Sequence, residues 1–230
     1  IKGFSAASKE VLEAMEVAGC LGILVMMHCE DEALLNWAAS HLRAEGKSSL
    51  RYYAESRPIV SEVAATQQVV AFCEVTKAPT YIVHVSSARA LRACRNEDTV
   101  GLPLYVETRP IYLHLTEEKY LSGEGPLYVG QPPLRSSSDV AALWDGLIEG
   151  RIDVLASDHA PWTRDQKLDP KLDIETLRPG IDNLQVMLPI YFSEGVNKGR
   201  IMIERFVETT STNPAKIFGL YPKKGVVQEG

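Results

Sequence analysis

The sequence predicts an α/β fold in which right-handed βαβ units surround a parallel sheet, arranged as part of a (β/α)8 barrel. Three observations carry this expectation. Short apolar runs alternate with segments of helical periodicity along the whole chain. Each run is nearly continuous rather than alternating, as in strands covered on both faces. A metal-capable residue also stands at or near the end of four runs: Lys2 in IKGF, His28 in GILVMMHCED, His84 in TYIVHVSSA and Asp158 in IDVLASDHAP. A parallel barrel gathers its active-site groups on that C-terminal face, in the βα loops.

Taken in order, the first strand is expected near residues 1–4. SKEVLEAMEVAG then reads as a helix, with Ser8 as N-cap, an apolar stripe of Val11, Leu12, Met15 and Val17/Ala18, and Gly19 as the stop. A strand near 23–28 leads into a helix over 32–45 that ends at Gly46. RPIVSEVAATQQVVAFCEVTK places Pro58 near a helix start and keeps helical spacing through Val75. Strands near 80–85, 102–107 and 154–157 alternate with the helices SARALRACR and DVAALWDGLIEGR, whose Trp144 and Leu147 belong to the core. Two further helical stretches follow, DNLQVMLPIYFSEG with a kink at Pro189, and ERFVETTSTNPAKIFG. Five strands against the eight of a closed barrel make residues 1–230 a partial barrel, roughly its last five βα units. Ile1 already reads as part of a strand and LYPKKGVVQEG as a turn, so both ends read as cut.

Composition narrows the function classes. A chain of 230 residues with 45% hydrophobic content can bury the core of one domain. A net charge of −6 and the lack of a Lys/Arg run argue against a nucleic-acid partner. No stretch has the apolar length to span a bilayer, and IKGFSAASKEVLEAM lacks the layout of a signal peptide. Cys20, Cys29, Cys73 and Cys94 show no CxxC spacing, which reads as free thiols in a reducing compartment, the cytoplasm.

Imidazole nitrogens from His28 and His84 and an oxygen from Asp158 suit Zn²⁺ or a similar ion used for hydrolysis. A lysine joins such a set if CO₂ converts its amine to a carbamate, an anion able to bridge two metals. The pair would lower the pKa of a shared water, and Asp158 would take its proton and pass it to a leaving nitrogen. Each residue alone has a plainer reading. A histidine after a strand is more often a hydrogen-bonded structural residue, Asp158 before His-Ala-Pro serves equally as a cap, and Lys2 as a solvated charge. His41 and His114 read as non-catalytic, and His159 serves equally as a substrate-orienting or a structural residue. Joint placement carries the hypothesis.

IKGF, MHCED, the AESRP…E segment, HVSSARAL, ETRPIYLHLTEEKY, QPPLR, ALWDGLIEG, SDHAP and the TSTNPAKIFGLYPKKG tail run along almost the whole chain. Together they resemble the cyclic amidohydrolases of the hydantoinase/dihydropyrimidinase group. The resemblance implies a TIM-type (β/α)8 barrel of the metal-dependent hydrolase kind, with two divalent ions, usually zinc, bridged by a carbamylated lysine. By position, Lys2 matches that lysine, His28 and His84 the two histidines on the more exposed metal, and Asp158 the aspartate that is ligand and base. The implied reaction is hydrolysis of a ring C–N bond in a hydantoin, dihydropyrimidine or related ureide, by a metal-bound hydroxide with Asp158 as proton shuttle. Allantoinase and dihydroorotase are the alternatives on the same scaffold, and SDHAP is the form associated with dihydroorotase. Relatives that lost their ligands act as assembly proteins; the presence of all four residues argues against that class.

Departures from the family pattern bear on the substrate. The tyrosine expected five residues after the lysine reads Ala7, so the family's oxyanion contact is missing there. The substrate-contacting serine before PPLR reads Gln131, and the family's asparagine falls near Thr176; those contacts are largely made by backbone. Arg109 stands where Thr-Cys-Pro is more usual, as an anchor for a substrate carboxylate or as a rim charge. The family's His-x-His ligands have no counterpart in the 230 residues, which implies that the piece alone is inactive. The resemblance also implies homotetramers or dimers of the full-length protein.

Overall fold

The computed structural model describes residues 6–229; the strand expected near residues 1–4, with Lys2, lies outside them. Four strands form one sheet: β1 (Val25–Met27), β2 (Thr80–Ile82), β3 (Leu104–Thr108) and β4 (Val154–Leu155). Every pairing is parallel and the spatial order follows the chain, β1-β2-β3-β4. Sequential order without reversal is the arrangement of a barrel wall and not of a doubly wound sheet.

Helices separate the strands. In chain order they are α1 (Ser8–Leu21), α2 (Glu32–Ala44), the single turn α3 (Tyr53–Ser56), α4 (Ile59–Thr76), α5 (Ala88–Cys94), α6 (Pro110–His114) and α7 (Ser137–Ile148). After β4 come α8 (Arg164–Lys167), α9 (Leu184–Tyr191), α10 (Ile203–Val207) and α11 (Asn213–Ile217). The two tail helices predicted from sequence are present; the first closes in a π-helical turn at Phe192–Asn197, and the second is interrupted by one at Glu208–Thr212. Apolar side chains from both layers meet in one core that includes Met15, Cys73, Ile82, Leu91, Val106, Leu143, Trp144 and Leu147. Cys29, Cys73 and Cys94 are buried free thiols, whereas Cys20 is exposed.

Two expected boundaries are corrected. The cap of α1 is Ala7, not Ser8: Ala7 N–H is held at 3.1 Å by the Glu10 carboxylate, and the Ser8 hydroxyl instead reaches Gln68 on α4 at 3.2 Å. An acidic residue in the first turn satisfies the free amide without a polar cap side chain. Gly19 does not end α1. Gly22 does, in the left-handed conformation at φ +65°. Gly19 serves a close approach, because a Cβ there would stand 2.3 Å from the Thr76 carbonyl oxygen at the end of α4.

The strands also stop sooner than the apolar runs suggest. His84 and Asp158, two and three residues past the ends of β2 and β4, take φ values of +43° and +44°. Left-handed backbone cannot continue a ladder, so each residue leaves its strand and turns onto the C-terminal face.

Gly19→Ala should destabilise the fold by about 1–3 kcal/mol, since backbone on both sides must move. Gly123→Ala, at a site with open space around it, should shift the urea midpoint by little. Equal midpoints for the two variants would contradict the close contact of α1 with α4.

Candidate functional site

The C-terminal ends of β1 and β2 bring two imidazoles together. His28 Nδ1 lies 3.0 Å from His84 Nε2, with the rings edge to face and their centroids 4.8 Å apart. Backbone geometry places the pair: Met27 pairs in register with Ile82, and Val83 N–H donates to Met27 O, so the residues just beyond emerge side by side. His84 is buried, and burial, then the neighbouring His28 and Arg109, pull its pKa down to about 3. Its ring is therefore neutral at pH 7, the form that ligates a metal.

Buried carboxylates hold both histidines, His84 by its backbone amide and His28 by its ring. Glu107, at the end of β3, accepts from His84 N–H at 3.0 Å and from the Tyr81 hydroxyl at 2.7 Å. Burial raises the Glu107 pKa, partly countered by those two hydrogen bonds. Glu30 receives His28 Nε2 at 3.0 Å and a two-pronged clasp from Arg57. Burial alone would raise the Glu30 pKa, but the His28 hydrogen bond and the Arg57 charge outweigh it and set it at about 2. Behind them Glu62 of α4 accepts from Ser86 N–H at 2.7 Å and from the Ser86 and Ser87 hydroxyls at 2.8 and 2.9 Å. Arg135 of QPPLR joins this cluster through the Ser86 hydroxyl and the Arg57 carbonyl oxygen.

Asp158 belongs to a second cluster. Arg109 Nη1 stands 2.9 Å from Asp158 Oδ2, and Nη2 approaches the Asp158 carbonyl oxygen at 3.4 Å. Arg109 is fully buried, so it is not a rim charge; Gly130 leaves it room, since a Cβ there would meet Nη1 at 3.1 Å. The Asp158 side chain keeps 42% exposure. His159 has a structural part, since its Nδ1 accepts from Asn183 and Leu184 N–H at the start of α9. His41 bonds the Trp37 carbonyl and His114 packs edge-on to Trp144, so both stay outside the site, as expected.

The substrate-side residues separate. Gln131 is half-buried beside Gly130, on a segment whose Val129 carbonyl accepts from Gly180 N–H and from Lys167 Nζ at 3.0 Å. Lys167 also reaches Gly180 O at 2.5 Å, which fastens the long excursion after β4 onto the Gln131 segment. Burial, then the Arg109 charge, lowers its amine to about 8. The Thr176 hydroxyl is tied into its own turn by Asp173 Oδ1 at 2.8 Å, and the structure does not bring it to Asp158 or the histidines.

The described residues fit a metal at the histidine pair. Two imidazole nitrogens face each other at 3.0 Å, and a tetrahedral ion with bonds of about 2.0–2.1 Å asks for only slightly more. Among the described residues no three His, Cys, Asp or Glu side chains gather closely enough to complete a site. Lys2 lies outside those residues, and Asp158 is engaged by Arg109 rather than by the imidazoles. Sequence reasoning missed Glu30, Glu62, Glu107, Arg57, Arg135 and Lys167. Glu107, a charge inside the β3 run, carried a local signal; the others lie in helices or loops, where a charged residue is ordinary.

The Asp158–Arg109 pair predicts a coupling. Asp158→Asn leaves a buried guanidinium without its counter-charge and should cost about 2 kcal/mol, the low side for a broken buried pair because the carboxylate is partly solvated. In an Arg109→Met background the same change should cost at least about 1 kcal/mol less, read by urea denaturation. Additive costs would exclude the pairing.

Comparison with known proteins agrees with this geometry. The amidohydrolase family model matches residues 2–230. D-phenylhydantoinase from Escherichia coli is 36% identical over 223 residues, covering 96% of this chain and 48% of that enzyme. Among solved structures, the D-hydantoinase (dihydropyrimidinase) from Thermus sp. superposes with a TM-score of 0.95 at 33% identity, covering 100% of this chain and 51% of that one. The L-hydantoinase (dihydropyrimidinase) from Arthrobacter aurescens gives 0.93 at 29% identity, covering 100% and 51%. The chain thus spans about half the length of the relatives it matches, its parallel sheet is part of a (β/α)8 barrel of their kind, and it belongs to the amidohydrolase family.

Proposed function

We propose that this chain is the metal-binding half of a cytoplasmic cyclic amidohydrolase, which opens a ring C–N bond in a hydantoin, dihydropyrimidine or related ureide. The observation that supports this most is the pair of facing imidazoles at the ends of adjacent parallel strands. Similarity to hydantoinases over nearly the full chain adds the reaction class.

In this reading His28 and His84, with Lys2 as its carbamate and Asp158, are the residues that would hold two divalent ions. Zinc ions held there would supply a hydroxide nucleophile at neutral pH and polarise the scissile carbonyl. The chain's own residues then do the rest. Asp158, on the open face and steadied by Arg109, takes the proton of the attacking water and returns it to the leaving ring nitrogen. Ala7 offers no hydroxyl to the developing oxyanion, so the carbonyl depends on the metal ions and on backbone donors. Gln131, braced by the Lys167 clasp, lines the substrate side with its backbone. Arg109 is too deeply buried to touch substrate and acts through Asp158. The full-length protein works as a homotetramer or dimer.

The test is metal content and ring opening by the whole protein that carries this chain, screened on hydantoin, dihydrouracil, allantoin and dihydroorotate. Two ions per chain with turnover of one ring are expected, and Asp158→Ala should lower kcat by about 10²–10⁴. Metal without turnover on any of the four would overturn the substrate class. No bound metal would move the protein to a non-catalytic assembly role.

A further inference from the structure

We infer that Glu30, clasped by Arg57, is a positioning residue that fixes the tautomer of His28 and so makes Nδ1 the metal-facing atom. The inference rests on the metal reading proposed above. Glu30 lies two residues past His28, with its side chain 1% exposed. Its Oε1 accepts from Arg57 Nε at 3.0 Å, and its Oε2 takes Arg57 Nη2 as well as His28 Nε2. A carboxylate facing guanidinium donors on both oxygens can only accept, so His28 Nε2 must carry the hydrogen. A neutral imidazole has one ring hydrogen, which leaves Nδ1 bare. Nδ1 is the nitrogen turned toward His84.

The neighbouring groups obey the same order. In the metal-free chain His84 Nε2 would then donate to the bare His28 Nδ1, and His84 Nδ1 is a buried nitrogen with no hydrogen-bond partner among the described residues. Arg57 is itself held, since its carbonyl oxygen accepts from Arg135 Nη1 at 2.7 Å. Arg135 Nε reaches the Ser86 hydroxyl at 3.1 Å, and that hydroxyl donates to Glu62 at 2.8 Å. Arg57 and Arg135, to which the proposed reaction gives no chemical part, thus join the AESRP…E and QPPLR segments into a frame behind both histidines. Among the described residues, Glu30 is the member of this frame that bonds a histidine ring. Carboxylates that receive the second nitrogen of a ligating histidine commonly set which nitrogen binds.

The experiment uses the metal-free chain labelled with ¹⁵N-histidine, and Zn²⁺ alone as probe. Long-range ¹⁵N–¹H correlation separates bare from protonated ring nitrogens, and competition with a chromophoric chelator gives zinc affinity. The wild-type chain should show His28 with a protonated Nε2 and a bare Nδ1. The double variant Glu30→Leu/Arg57→Met removes the carboxylate together with its counter-ion, and should show mixed His28 tautomers and zinc binding about 10–100-fold weaker. Arg57→Met alone keeps the carboxylate, and should keep the tautomer while losing less than tenfold. A double variant that retains a single Nε2–H tautomer and wild-type zinc affinity overturns the inference. If that variant does not fold, the wild-type spectrum decides alone, since a hydrogen on His28 Nδ1 overturns the inference equally. A wild-type chain with the expected tautomer but no zinc affinity would instead reject the metal reading.

Discussion

The hydrogen bond from His84 N–H to the buried Glu107 carboxylate is the constraint on which the site depends. His84 sits at φ +43°, a conformation that costs a residue with a Cβ on the order of 1–3 kcal/mol. A hydrogen bond to a charged acceptor is worth about 1.5–3 kcal/mol, enough to hold it there. The bond works only because β3 lies beside β2 in register, with Ile82 opposite Val106, so that Glu107 arrives at the height of the turn. Tyr81 from β2 occupies the second oxygen and keeps the carboxylate from swinging away. Strand register, backbone strain and ring placement are thereby one arrangement.

From this constraint the rest of the frame follows outward. With His84 fixed, the adjacent β1 end presents His28 at 3.0 Å, and the Glu62 cluster pins the turn at Ser86 and Ser87, the latter also capping α5. The Asp158 side of the sheet repeats the device with different chemistry. There too a left-handed residue ends the strand, but a buried guanidinium replaces the carboxylate as its holder. The two halves of the site therefore carry opposite buried charges, Glu107 beneath the histidine and Arg109 beneath the aspartate. That separation is suited to keeping one side a neutral nitrogen donor and the other an anion.

Much of this was legible in the sequence, for a physical reason. Parallel strands between helices read as continuous apolar runs, so GILVMMH and TYIVHV announce themselves, although β2 is buried throughout while Met26 of β1 is 51% exposed; the residues that end the runs are read directly. The sequence reading located His28, His84 and Asp158 correctly at strand ends but not what holds them. Glu107, Glu62 and Arg57 are charged residues whose partners lie 23 to 27 positions away in the chain, and no local period encodes such pairings. Arg109 was open to either a rim or an interior reading because burial of a charge is decided by its partner, which only the fold supplies. Gly19 misled for a related reason: a glycine can end a helix or admit a neighbour, and the close Thr76 carbonyl selects the second.

The central claim is that the β1 and β2 ends present an imidazole pair built to hold a metal. X-ray absorption at the zinc edge of the zinc-loaded chain tests it most directly. Two imidazole nitrogens at about 2.0–2.1 Å, one of them lost in His84→Ala, are the predicted result. Zinc surrounded by sulfur at about 2.3 Å, as binding at Cys29 or the other thiols would give, or by no imidazole pair at all, would contradict it.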